Sequence, residues 1–284
     1  MPRSAHVTVT VDLSRVRANA LAVKRASGVR VIAVVKADAY GLGAAAVAAA
    51  VRDVADAFYV FDLAEAVAAN LAALGKEAIA LLDEPHDAAT YRRHGVRPVV
   101  WTVARAAALA DARPLLSVDT GQQRFACPAG DVDAVLAAGR VTEAFTHAST
   151  AAQVRRLLDA AGGRGLALHA AGTALLHDPA ARLDAVRPGL ALYRGAARVT
   201  ARLADARDTT GPAGYSGFSP ATGRHGVVLA GYAHGLRPGP CAVNGHRRRV
   251  LEVGMQSAFV EVAPSDKVGD QVVLLGDTVT EADV

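Results

Sequence analysis

The residues best placed to do covalent chemistry lie in one stretch, Val34-Val35-Lys36-Ala37-Asp38-Ala39-Tyr40-Gly41-Leu42-Gly43. Lys36 closes an apolar, β-branched run, so it stands where a strand leaves a hydrophobic core. An amine there is partly desolvated, which favours its neutral, nucleophilic form. Most lysines after a strand simply turn into solvent, so the position alone does not decide the matter. Other candidates are equally open when taken singly. His147 suits acid–base work or a satisfied core histidine, Thr173 a ligand or a helix cap, and Arg124 an anion contact or an ordinary surface cation.

Positioning such groups needs a scaffold, and the chain supplies a regular one. Strand-like runs fall near Val31–Val35, Ala57–Phe61, Ala78–Leu82, Arg97–Trp101, Leu115–Val118, Glu143–Thr146, Leu166–His169 and Leu183–Arg187. Helical patterns lie between them, at Leu63–Leu74, Ala88–His94, Asp131–Ala138 and Ala151–Ala161, and a first helix runs from Leu13 to Ala26. Eight strands alternating with helices predict an α/β fold, a (β/α)8 barrel of the TIM type. Lys36 then sits at the C-terminal mouth of the first barrel strand. A Gly-, Pro-, Ser- and Thr-rich segment over 211–223 reads as a linker. Beyond it, Gly226–Tyr232, Arg249–Val253, Ala258–Val262 and Gln271–Leu275 predict a small β-domain without helices. The expected division is 1–208 and 209–284, with residues 6–11 pairing either in the barrel or with the C-terminal strands.

Composition narrows the function classes. The 284 residues are 52% hydrophobic with a net charge of +4, which excludes a disordered chain. The run His246-Arg247-Arg248-Arg249 beside an apolar strand reads as a solvated strand edge rather than a nucleic-acid patch, because no aromatics alternate with it. Cys127 and Cys241 are far apart without metal-site spacing, which suits a cytoplasmic protein with no disulfide framework and no metal. No secretory signal or membrane span is read.

Five segments in order carry a resemblance. The stretch Val35–Gly43, Val118-Asp119-Thr120-Gly121 with Arg124, Phe145-Thr146-His147, Val186–Tyr193 and Gly231-Tyr232-Ala233 together resemble the alanine racemase family over nearly the whole chain. The resemblance implies a barrel binding pyridoxal 5′-phosphate, a following β-domain, a homodimer, an amino-acid substrate and a place in D-amino-acid metabolism. It implies that Lys36 holds the cofactor as a Schiff base and serves as one base. Tyr232 of the partner subunit is the opposite-face base. Tyr40, Thr173, Gly189 and Leu190 bind the phosphate. Arg187 faces the pyridine nitrogen, where a permanently charged guanidinium gives up no proton. His147 stands beside Arg187 to tune Tyr232, and Arg124 and Met255 contact substrate.

The sequence departs from the family in definite places. Family members usually have aspartate where His234 stands and Cys-Met-Asp where Gly254-Met255-Gln256 stands. Ser117 replaces a lysine, Gln122-Gln123 a Met-Gly pair, and Gly172 an asparagine. The family also usually continues some tens of residues past the position of Val284. These departures leave three readings. One is an amino-acid racemase. Another is a non-catalytic pyridoxal-phosphate-binding protein. The third is an enzyme acting on an amino acid other than alanine.

Overall fold

The computed structural model describes residues 6–80 and 87–283. The chain divides into two compact units. One is Leu13–Tyr193; the other joins the described residues up to Asp12 to those from Arg194 onward. Strand β1 (Val7–Val11) belongs to the second unit.

The first unit is the eight-stranded parallel barrel that the strand–helix rhythm predicts. Its strands are β2 (Arg30–Val34), β3 (Ala57–Val60), β4 (Glu77–Ala80), β5 (Val96–Val100), β6 (Leu115–Ser117), β7 (Glu143–Ala148), β8 (Ala167–Ala171) and β9 (Ala185–Val186). β9 closes the ring on β2, with Arg30 opposite Ala185. The expected strand over Ala78–Leu82 is seen as β4; Leu81 and Leu82 lie outside the described residues. The barrel interior is a buried cluster that includes Ile32, Val34, Tyr59, Val99, Leu115, Phe145 and Ala185. Side chains alternate along a strand, so residues two apart share a face. Carried forward, that parity runs Ile32, Val34, Lys36; Leu115, Ser117; Phe145, His147; and Ala185, Arg187. Carried backward, it reaches Glu143 and Arg97. One face of the strands thus supplies a core, a mouth and a floor.

The helices that wrap the barrel are set by local caps. Thr150 and Gln153 form a reciprocal capping box at the start of Ala151–Ala161. Asp62 accepts the Glu65 N–H (2.8 Å) and starts Leu63–Ala68. The expected helix Leu63–Leu74 is broken after Ala68, because Asn70 turns left-handed (φ 51°) and Leu71–Leu74 follows as a tighter 3-10 turn.

The second unit is an antiparallel sheet in the order β1, β10 (Ala197–Asp208), β11 (Arg224–Val228), β14 (Ala258–Glu261), β13 (His246–Val253), β12 (Gly239–Val243), β15 (Gln271–Leu275). β15 pairs back onto β10, so six strands close on themselves around a core that includes Leu203, Val228, Cys241, Val260 and Val272. No α-helix occurs among its described residues. Two expectations change here. The units divide between Tyr193 and Arg194, not after residue 208, because the twelve-residue β10 belongs to this sheet. The 211–223 segment connects β10 to β11 within one sheet rather than linking domains. It is folded back by an Ala213–Phe218 bridge and by Glu252, whose carboxylate accepts the N–H groups of Tyr215 and Ser216. Composition marks a loop but does not tell which elements it joins. The arginine run is the expected solvated strand edge: Arg247, Arg248 and Arg249 pair with β12 alone, and β13 pairs with β14 only from Val250 onward.

Candidate active site

The chain leaves β2 by an unusual corner. Ala37, Asp38, Ala39 and Tyr40 all adopt left-handed backbone angles, φ 51–61°. Such a run costs L-residues roughly 1–2 kcal/mol each, so neighbouring groups must hold it. Glu65 does so on one side, its carboxylate accepting the N–H groups of Ala37 and Phe61, both at 2.7 Å. Asp38 does so on the other, accepting the Ala44 N–H at 2.7 Å. The corner leaves Lys36 half-buried on the rim of a pocket and sends Tyr40 around its edge.

That pocket, about 120 Å³, lies at the mouth of the barrel. Lys36, Tyr40, Arg124, His147 and Arg187 line it, with Ser117, Gln122 and Phe125 on one side and Tyr59 and Phe145 below. Among the described residues its basic side chains are Lys36, Arg124, Arg187 and His147, and it contains no carboxylate. Arg187 is 5% exposed and rests 4.5 Å above the Phe145 ring. Its Nη2 donates to Thr146 O (2.7 Å), and its Nη1 donates to His169 Nδ1 (2.5 Å). Partial burial, then the charges of Arg187, Lys36 and Arg124, bring the His147 pKa down to about 4. The His147 side chain still meets solvent, so the three cations are the firmer cause. His147 is therefore a neutral base at pH 7. A larger groove, about 500 Å³, occurs in the second unit, but mainly apolar residues such as Val7, Val199, Leu236 and Leu274 line it. Chemistry rather than size marks the barrel pocket.

Beside the pocket, Tyr40 packs on Tyr193 with ring centroids 5.0 Å apart. The Tyr40 hydroxyl lies so close over Gly189 that a Cβ there would overlap it. Thr173 Oγ1 accepts the N–H groups of Gly189 (3.3 Å) and Ala191 (3.1 Å). Two hydroxyls and a bend of backbone N–H groups at Gly189, Leu190 and Ala191 thus converge at the barrel mouth. This donor set suits a phosphate, and the glycine leaves the space that the Tyr40 hydroxyl takes up.

The loop bearing Arg124 is built by Asp119, whose carboxylate accepts the N–H groups of Gly121 (2.8 Å) and Gln123 (3.1 Å). Those same bonds hold the Asp119 carboxyl below its ordinary range. Among the described residues, Arg124 itself has only a long contact to Gln122 (3.4 Å). The remaining predicted residues lie in the second unit. Tyr232 and Met255 sit on adjacent turns, joined by Tyr232 N–H to Gly254 O (2.9 Å) and Ala233 N–H to Met255 O (3.0 Å). Both side chains are well exposed, 58% and 60%. His234 is exposed and folds back on its own turn, its Nδ1 accepting the Gly231 N–H at 3.2 Å. Residues not singled out from the sequence complete the pocket: Tyr59 and Phe145 beneath it, and the fully buried His169 behind Arg187. A histidine in mid-strand, between Leu168 and Ala170, was the available signal for His169.

The comparisons agree with this geometry. Residues 11–197 match the family described as alanine racemase, N-terminal domain. An alanine racemase of Syntrophobacter fumaroxidans is 30% identical, with 98% of this chain and 90% of that protein covered. One of Halorhodospira halophila is 32% identical, covering all of this chain and 92% of that protein. The crystal structure of biosynthetic alanine racemase from Pseudomonas aeruginosa superposes with a TM-score of 0.86 at 25% identity, covering 98% of this chain and 92% of that one. The Syntrophobacter alignment spans 336 positions, more than the 284 residues here, so this chain is shortened inside the shared frame. In another relative in fold, from Bartonella henselae, the structure is described with covalently bound pyridoxal phosphate. The chain belongs to the alanine racemase family of pyridoxal-phosphate-dependent isomerases.

Proposed function

We propose that this protein racemises a small amino acid, using Lys36 and Tyr232 as bases on opposite faces of the substrate Cα. The observation that carries the reading is the barrel mouth itself: Lys36, His147, Arg124 and Arg187 around one pocket, beside the hydroxyl and N–H cluster of Tyr40, Thr173, Gly189 and Leu190. Bound pyridoxal phosphate supplies an electron sink that acidifies the substrate Cα–H. The residues do the rest. Lys36 Nζ removes or returns the proton on one face, and the Tyr232 hydroxyl does so on the other. Tyr40, Thr173 and the backbone at Gly189 and Leu190 hold the phosphate. Arg187, pinned by His169 and Thr146, would face the ring nitrogen and give up no proton to it. Neutral His147 accepts a hydrogen bond from Tyr232, and Arg124 and Met255 contact the substrate.

Tyr232 is supplied by a second copy, so the working form is a homodimer. The cytoplasm suits this protein, whose two cysteines are buried and unpaired. No described helix is long and apolar enough to cross a membrane.

The test is an absorbance spectrum of purified protein, followed by Cα-proton exchange in D2O across an amino-acid panel. A visible band lost in Lys36→Ala, with interconversion of L and D forms that falls roughly 10²–10⁴-fold in Tyr232→Phe, supports the reading. A second test mixes the inactive Lys36→Ala and Tyr232→Phe chains. Random pairing in a C2 dimer restores about a quarter of the wild-type rate, since half the dimers carry one intact site of two. No recovery removes the shared site. One observation favours a non-catalytic alternative: among the described residues, Arg124 is held only by its long contact to Gln122. That alternative predicts the absorbance band without exchange on any amino acid.

A further inference from the structure

A line of charge runs through the barrel beneath the pocket. At the floor, Arg97 is 7% exposed and fully engaged. It donates to Glu143 Oε2 (2.8 Å), Glu77 Oε2 (3.2 Å), Arg113 O (2.8 Å) and Thr142 Oγ1 (3.4 Å). The other oxygen of Glu143 lies 3.4 Å from Arg30 Nη1 and 3.1 Å from His169 Nε2. The His169 contact is an electrostatic approach rather than a well-aligned hydrogen bond. His169 stacks on Phe145 (5.1 Å, 7° between planes), and its Nδ1 meets Arg187 Nη1.

We infer that Glu143, anchored by Arg97, is a positioning residue for Arg187: it fixes His169 in the tautomer whose bare Nδ1 receives the guanidinium. The inference rests on the proposed function only in giving Arg187 a ligand to face. A guanidinium has donors and no acceptor, so His169 Nδ1 must carry a lone pair. The ring proton then belongs on Nε2, and the acceptor facing Nε2 is Glu143. In the other tautomer, two N–H groups would confront each other at 2.5 Å and Arg187 would swing away. Complete burial, and then the charge of Arg187, hold the His169 pKa down to about 4, so the ring stays neutral and the tautomer choice is real. Burial alone would raise the Glu143 pKa, but His169, Arg97 and Arg30 outweigh it and bring it down to about 2. Glu143 touches neither cofactor nor substrate; it acts through His169.

The first test needs no cofactor and no variant. In cofactor-free protein labelled with 15N-histidine, a long-range 1H–15N spectrum at pH 7 reads each ring nitrogen. The expected result for His169 is a protonated Nε2 and a bare Nδ1. A protonated Nδ1, or an imidazolium, overturns the inference. The second test compares Glu143→Gln with Arg97→Met/Glu143→Leu, which exchanges the whole ion pair for apolar volume and keeps the barrel folded. Pyridoxal phosphate binding is read from the fluorescence of Trp101, the single tryptophan. Both variants are expected to mix the two His169 tautomers. Both should weaken the Kd roughly tenfold, the loss of one well-directed charge-assisted hydrogen bond. A merely structural role lowers thermal stability and leaves tautomer and Kd at wild-type values, which also overturns the inference. Absence of racemisation by wild-type protein would defeat the proposed function but leave these readings intact.

Discussion

The two ends of the barrel use the same residue types to opposite effect. At the floor, Arg30 and Arg97 meet Glu77 and Glu143, and each guanidinium finds a carboxylate. At the mouth, Lys36, Arg124 and Arg187 share a pocket with no carboxylate among its described lining. The floor is neutral and locked; the mouth holds positive charge in reserve. Paired buried charges hold a structure together, whereas converging cations create a field that draws an anion. A doubly charged phosphate and a substrate carboxylate are what such a mouth would gather. The difference separates residues that resemble one another in sequence. Nothing about Arg97 as a letter distinguishes it from Arg187; only their partners do.

The largest expected effect tests the floor. Glu143→Leu removes the buried carboxylate and leaves the Arg97 guanidinium only the half-exposed Glu77 as ionic partner, and should lower unfolding free energy by about 3–5 kcal/mol in urea titration. Arg97→Met/Glu143→Leu should recover most of that. At the mouth, Arg124→Leu should cost no more than about 0.5 kcal/mol. If Glu143→Leu is as mild as Arg124→Leu, the contrast between the two ends is wrong.

Acid tests the histidine that joins them. The folded-state pKa of His169 is about 4, below its ordinary 6.5, so between those values the unfolded chain binds a proton that the folded chain does not. Stability is therefore full above pH 6.5 and falls as the pH drops toward 4, by on the order of 3 kcal/mol from His169. Glu143, with its pKa near 2 against 4.5 unfolded, extends the loss in the same direction below pH 4.5. Urea midpoints measured from pH 7.5 to 4 should show the slope, and His169→Asn should flatten it.

Strand alternation made a good part of this legible in the sequence. The eight barrel strands, Lys36 at the end of the first, and the helices at Leu13, Val132 and Ala151 all follow from apolar spacing and caps. The same parity that buries Ile32 and Val34 points Lys36 at the mouth, and that of Phe145 does so for His147. Other features were hidden for physical reasons. β10 alternates alanine with charged residues, as in Arg202-Leu203-Ala204-Asp205, and no apolar run marks it as a strand. The pairing of Glu143 with His169 and Arg97 joins residues 26 and 46 positions apart, and only barrel closure brings them together. The left-handed corner is the least legible part. Alanine is the strongest helix former, and no local preference announces it at positive φ.

That corner supports a smaller test. Ala37→Gly removes a Cβ penalty at φ 53° and should raise unfolding free energy by about 1 kcal/mol, read by thermal melting. Ala37→Val should lower it. The smallest effect concerns the field itself. Arg124 is the last and weakest of the cations acting on His147, so Arg124→Gln should move the His147 titration slightly upward. A downward shift in the NMR titration would mean that the mouth is not the cationic end.

The reversed hand of the turn after Lys36 also limits how this region can be varied. Residues 37–40 trace a coil that side chains branched at Cβ cannot follow, so Val, Ile and Thr are excluded there on conformational grounds, before any question of chemistry. A library built to alter reactivity around the lysine therefore has a narrow alphabet at positions 37 and 39: glycine, alanine, asparagine and aspartate. Diversity is better sought on the far wall, at Ser117, Gln122 and Phe125, which line the same pocket.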